Sequence, residues 1–124
     1  MITDDEIEEA KKHAAYTLDS HHHEHNDCIR IAYEWLDAQK KTKGITTKGN
    51  AIKHLIENWG GRYVSTSDVC VAAQLHPDIR GEYPRFNISA RLTEPSASRL
   101  NNIPEAMTHH YHDNHNSKSY KCHE

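Results

Sequence analysis

The stretch from Asn50 to Leu100 most constrains how this chain can fold, because it holds the clearest apolar periodicity in the sequence. Ala51, Ile52, Leu55, Ile56 and Trp59 recur at helical spacing. That spacing predicts a helix that begins at Thr47 or Asn50 and stops at Gly60-Gly61. Arg62, Tyr63 and Val64 leave room for a short extended piece. Ser65, Thr66 or Ser67 caps the next helix, with Asp68 in its first turn. Val69, Ala72, Ala73 and Leu75 give that helix its apolar face, and Pro77 closes it. IRGEYPRF reads as a loop from its glycine and proline. Asn87 is a cap for a short third helix over ISARL, and Pro95 fits the first turn of another from Ser96 to Leu100.

Upstream, Thr3 and Glu6 have capping-box spacing, followed by a narrow stripe of Ile7, Ala10, Ala14, Ala15 and Leu18. A helix is expected from Asp4 to Leu18. The polar run DSHHHEHND breaks it. Asn26 or Asp27 caps a second helix that runs to about Lys40 and is stopped by Gly44. Its face of Cys28, Ile29, Ile31, Ala32, Trp35, Leu36 and Ala38 is fuller, and the two helices are expected to pair as an antiparallel hairpin. Trp35 and Trp59 are the expected core anchors. After Pro104 the apolar content collapses, which predicts a mobile tail.

Composition narrows the class. A chain of 124 residues suits one domain with an appendage. Only 35% of its residues are apolar and its mean hydropathy is -0.92, so the core must be small. No apolar run approaches the ~20 residues that cross a bilayer, so no membrane partner is expected. The acidic start MITDDEIEEA lacks the apolar core of a secretion signal. Cys28, Cys70 and Cys122 are an odd set without a CxxC pair, which points to a reduced, cytoplasmic setting. The net charge of -3 is unevenly spread: residues 1–40 carry ten acids against four bases, residues 41–100 nine bases against five acids.

The phrase WGGRYVSTSDVCVAAQL resembles the first-helix, strand, second-helix part of a winged helix-turn-helix. The resemblance covers about 50 of the 124 residues. It implies that a third helix, around Arg85 to Leu92, enters the major groove of DNA. The fold class is then mainly α with minimal β. It comprises an acidic helical hairpin (1–44), a winged-helix-like module (45–104) and a His-rich flexible tail (105–124). The overall character, with phrases such as CIRIAYEWLDAQ, resembles small accessory proteins of tailed bacteriophages. That resemblance implies gene regulation in a host cell's cytoplasm, or the blocking of a host defence or repair complex.

Arg85, Asn87, Ser89 and Arg91 are the candidate DNA contacts, since Arg and Asn make bidentate contacts to guanine and adenine. Arg62 and Arg80 would grip backbone beside them. In the alternative, Asp4, Asp5, Glu6, Glu8 and Glu9 imitate phosphate and dock on a host nucleic-acid-processing protein such as a nuclease, repair or CRISPR-type complex, which the protein would inhibit. Homodimerisation is compatible with either. No catalytic residue is assigned, since GxSxG, HExxH and GxxxxGK[ST] are all missing, and no enzyme is expected. No cofactor is expected. If the chain binds an ion, a set such as His22, His25, Cys28 and a tail histidine could hold zinc.

Overall fold

The computed structural model describes residues 1–46 and 52–124. Four α-helices dominate: α1 (Asp4–Lys11), α2 (Asn26–Ala38), α3 (Ile52–Gly60) and α4 (Thr66–Leu75). Strands of two residues, β1 (Gly81–Glu82), β2 (Arg85–Phe86), β3 (Thr93–Glu94) and β4 (Cys122–His123), and short 3₁₀ turns complete the regular structure. The fold is mainly α with minimal β, as the periodicity implies.

Helix α2 is the hub. Cys28, Ile29, Ile31, Ala32, Trp35 and Leu36 are all buried, and α2 touches α1, α3, α4 and β3. A face this wide needs neighbours on several sides. Helix α1 packs more on α4 than on α2. Its capping box at Thr3 and Glu6 is present, but it ends at Lys11 rather than Leu18. Beyond it lie Thr17, Asp19 and Ser20, poor helix formers, and Leu18 is exposed. The first turn of α2 is capped by His25, whose Nδ1 accepts from the Asp27 N–H (2.9 Å), and not by Asn26 or Asp27. The predicted start of α3 at Thr47 or Asn50 lies outside the described residues. Helix α4 is capped by Ser65 in a capping box closed by Asp68.

The expected third helix is not formed. Gly81, at φ +103°, and the cis Tyr83–Pro84 bond turn the chain back into an antiparallel hairpin that pairs Gly81 with Phe86 and Glu82 with Arg85. Phe86 and Ile88 are buried while Arg85 is exposed and Ser89 partly so. Their spacing is the two-residue period of a strand, read from sequence as part of a helix. Ala90 is exposed and breaks the alternation, and Leu92 is buried again just before β3. The expected helix at Ser96–Leu100 is a single 3₁₀ turn, Ala97–Leu100, capped by Ser96.

The last twenty residues differ from the mobile tail that composition predicts. Strand β4 pairs in parallel with β3, and Tyr120 is buried with its hydroxyl accepting from Trp35 Nε1 (2.9 Å). Trp59 is buried as well and donates to the Pro95 carbonyl (3.1 Å). Both tryptophans therefore anchor the helices to the C-terminal region. Gly61 permits the docking at its start: the N–H groups of Met107 and His109 donate to the carbonyls of Gly60 and Gly61 (2.8 Å each). Gly61 has φ +63°, and a Cβ there would meet Met107 Cα at 2.9 Å. One hydrophobic cluster runs from Ile7 through the helices to Tyr120.

Candidate nucleic-acid interface

The β1–β2 hairpin is backed by an arm of residues 40–46. The Thr42 N–H donates to the Asn87 carbonyl (2.8 Å), the Ser89 N–H to the Lys40 carbonyl (2.8 Å), and both Thr46 N–H and hydroxyl to the Phe86 carbonyl (3.1 and 3.0 Å). Lys41 and Ile88 form an antiparallel bridge. The Arg80 guanidinium ties the arm from the other side, donating to the Lys43 carbonyl (2.6 Å). Gly81 is required here, because a Cβ would collide with the Arg85 carbonyl oxygen.

These two segments concentrate positive charge. Residues 40–46 and 78–91 carry Lys40, Lys41, Lys43, Arg80, Arg85 and Arg91 against only Asp78 and Glu82. All but Lys41 are exposed. Partial burial holds the Lys41 ammonium below its ordinary value, and it donates to the Asp37 carbonyl (2.7 Å). Arginine–carboxylate pairs are made by Arg30, Arg62 and Arg99. Among the described residues none is made by Arg80, Arg85 or Arg91, so their charge faces solvent uncompensated.

Of the six residues expected to touch nucleic acid, Arg80, Arg85 and Arg91 are thus exposed, and Ser89 is partly exposed. Asn87 and Arg62 are not available. Asn87 is 1% exposed: its Oδ1 accepts from the Arg80 N–H (2.6 Å) and its Nδ2 donates to the Asp78 carbonyl (2.9 Å). It is the internal brace of the hairpin and cannot reach a base. Arg62 is buried against Glu24 and Glu105 (2.9 and 3.1 Å). Sequence reasoning missed Lys40, Lys41 and Lys43, which read as a helix end and a linker. The arm–hairpin pairing that gathers them at the candidate site joins positions about forty residues apart.

The acidic head is largely engaged within the chain. Asp4 accepts from Arg30 (2.7 Å), Glu8 from Lys11 (2.9 Å), and Glu9 from Lys12 and His13 (3.3 and 3.2 Å). Hydrogen bonds from Arg30 hold the Asp4 carboxyl below the usual range, and those from the Thr3 backbone and side chain do so for Glu6. Asp5 is exposed.

Two further polar clusters stand out. Asp68, fully buried, accepts from His23 Nδ1 (2.7 Å), and His23 Nε2 faces the Tyr16 hydroxyl (3.0 Å). A carboxylate only accepts, so Nδ1 carries a proton, and in the neutral ring Nε2 then accepts from the tyrosine hydroxyl. The second Asp68 oxygen accepts from the Ser65 N–H (2.8 Å). Burial pushes the Tyr16 hydroxyl up, which keeps it protonated at neutral pH. The chain of bonds fastens the histidine-rich loop to the start of α4. In the second cluster, Glu94 accepts from His115 (2.6 Å), His123 (2.8 Å) and Ser117 (2.9 Å). This fastens the tail to β3.

Among the described residues, no three His, Cys, Asp or Glu side chains are disposed to hold a metal ion, His22, His25 and Cys28 included. His25 Nδ1 is occupied as a helix cap, His22 faces Glu24 (3.6 Å), and Cys28 is buried. Burial pushes the Cys28 thiol up to about 12 and raises Cys70 as well, so neither is a thiolate at neutral pH. No helix is long and apolar enough to cross a membrane among the described residues. Comparison with known protein families, curated proteins and solved structures gives no match to the chain.

Proposed function

We propose that the protein binds nucleic acid, holding the phosphate backbone on the cationic strip formed by the β1–β2 hairpin and its arm. The observation that carries this reading is the set of exposed cations on two segments hydrogen-bonded to each other, with Arg80, Arg85 and Arg91 free of carboxylate partners. Phosphate contact needs only positive charge held in place, and the Arg80–Lys43 tie and the Asn87 brace hold it. Groove reading by a third helix has no support in this geometry, so the contact is electrostatic and tolerant of sequence. Docking of the acidic head on a host protein is favoured less, because most of its carboxylates already have partners within the chain.

The test is the salt dependence of binding to a labelled oligonucleotide, followed by fluorescence anisotropy. The wild type should bind with log K falling linearly against log salt. The K43A/R85A/R91A variant should bind more weakly and lose roughly two to three units of that slope, at about 0.7–0.9 per phosphate contact. A control with Lys118 and Lys121 replaced by Ala should leave it unchanged. Equal slopes for wild type and the triple variant would refute the reading.

A further inference from the structure

We propose that the cavity between α4 and the β1–β2 hairpin receives one unpaired nucleobase, which makes single-stranded nucleic acid the preferred ligand. The inference rests on the phosphate-binding reading above and adds where a base would go.

The cavity holds about 310 Å³ and lies directly beneath the cationic hairpin. Its floor is apolar: Cys70, Ala73, Ile79 and Phe86 are all nearly buried. Burial raises the Cys70 thiol, so the floor carries no charge there. Its rim is polar, with Gln74 from α4 facing Arg80 and Glu82 from the hairpin. Tyr83 closes one side, its ring set edge-on to Phe86 (centroids 6.3 Å apart, planes at 65°). On its other side Tyr83 borders a second hollow with Ile45, Pro84 and Arg85.

An apolar slot with a polar rim suits a flat heteroaromatic ring that is greasy on its faces and hydrogen-bonding at its edge. The Gln74 amide can donate and accept, and the Glu82 carboxylate can accept from an exocyclic amino group. The volume sits at the small end of ligand clefts, which run from about 300 Å³. It has room for one base. Aromatic surface interleaved with backbone-binding cations is the usual equipment for gripping single strands. A duplex keeps its bases stacked inside and could fill the slot only by extruding one, at an unstacking cost.

The experiment compares a labelled 12-nucleotide single strand, as DNA and as RNA, with the matching duplex, all at one salt concentration. Ala73→Met fills the cavity without altering charge. Gln74→Ala removes a rim group from an exposed helix position and does not threaten the fold. The wild type should prefer the single strands. Ala73→Met should weaken single-strand binding roughly tenfold, the scale of one lost base contact, and leave duplex binding unchanged. Gln74→Ala should weaken it severalfold, more for strands rich in amino-bearing bases. If Ala73→Met melts early, Gln74→Ala decides the matter. Wild-type single-strand affinity in both variants, with salt-dependent binding intact, would overturn the base slot and leave the phosphate reading standing. Failure of the wild type to bind strand or duplex at low salt would remove both. The DNA and RNA arms show which sugar the strip accepts.

Discussion

The helical region, residues 4–75, and the C-terminal region, residues 76–124, are held by different means. In the first, backbone groups satisfy one another within α-helices, and apolar faces are buried around α2. In the second, the longest strand has two residues, and side-chain amides take the place of missing strand backbone. Asn87 does this inside the hairpin. Gln39 does it at β3: its Nε2 donates to the carbonyls of Trp35 and Thr93 (3.0 and 2.8 Å), and its Oε1 accepts from the Thr93 N–H (2.9 Å). Both amides are nearly fully buried. The difference teaches that damage should scale with lost volume in the helical region and with lost hydrogen bonds in the other.

The largest expected effect tests whether the two regions unfold as one. Trp35→Ala empties the centre of α2 and strips Tyr120 of its partner, and it should cost about 3–5 kcal/mol. Denaturant unfolding followed by far-UV dichroism and by hydrogen exchange at β4 should lose stability together. Helices that keep wild-type stability would show the regions to be independent.

Asn87→Ala should be smaller and local. It leaves the Arg80 N–H and the Asp78 carbonyl without their partner, at about 1–3 kcal/mol. Exchange should quicken at the hairpin and arm before it does in α2 and α4. Nucleic-acid affinity should fall as well, since the cations lose their brace. Uniform quickening across α2, α4 and the hairpin would erase the proposed contrast.

The smallest effect is a pH dependence of the docked tail. Partial burial tends to raise the Glu94 carboxyl, but hydrogen bonds from His115, His123 and Ser117 outweigh it and hold the group below its ordinary value of 4.5. A depressed folded-state value means that Glu94 stabilises the docked tail above that ordinary value. The contribution is lost as pH falls from about 4.5 through the folded value. Glu124, held down by its bond to Arg99, acts in the same direction. Exchange at β4 should therefore rise in acid ahead of exchange in α2. Glu94→Gln should remove part of that dependence and leave the share belonging to Glu124. An identical acid profile in the variant would show that Glu94 does not hold the tail.

How much was legible in the sequence follows the same divide. Helix α4 announces itself by period, cap and stop, and α2 by its period though not by its cap, because these forces act within one turn. Trp35 and Trp59 are legible as anchors for the same reason. Phe86 and Ile88 mislead: their alternation is short, and Asn87 looks like a helix cap until its side chain is seen to serve the backbone seven residues upstream. The docked tail is hidden because a single aromatic, Tyr120, and one carboxylate, Glu94, do what a run of apolar residues would ordinarily do. At the candidate site, Arg85 and Arg91 are legible only as contacts of an expected third helix, with Arg80 beside it; that helix is not formed, and their exposure rests on the hairpin instead. The third-helix reading is wrong about the element and has no way to weigh the exposure of these arginines. It could not separate them from Arg62, which differs only in having acids folded onto it, nor recruit the arm lysines.

The Trp35–Tyr120 bond spans 85 positions of the chain. A ribosome adding about 5–20 residues per second needs on the order of ten seconds to travel between them. Throughout that interval the central helix exists without the residue that seals it, and a bulky indole waits with its N–H unanswered. The central helix is therefore sealed only after Tyr120 has been made, long after α2 itself. Contacts this distant in sequence also slow folding once the chain is free. Until Tyr120 arrives, the α2 face that it covers has to wait for a contact that no nearby residue supplies.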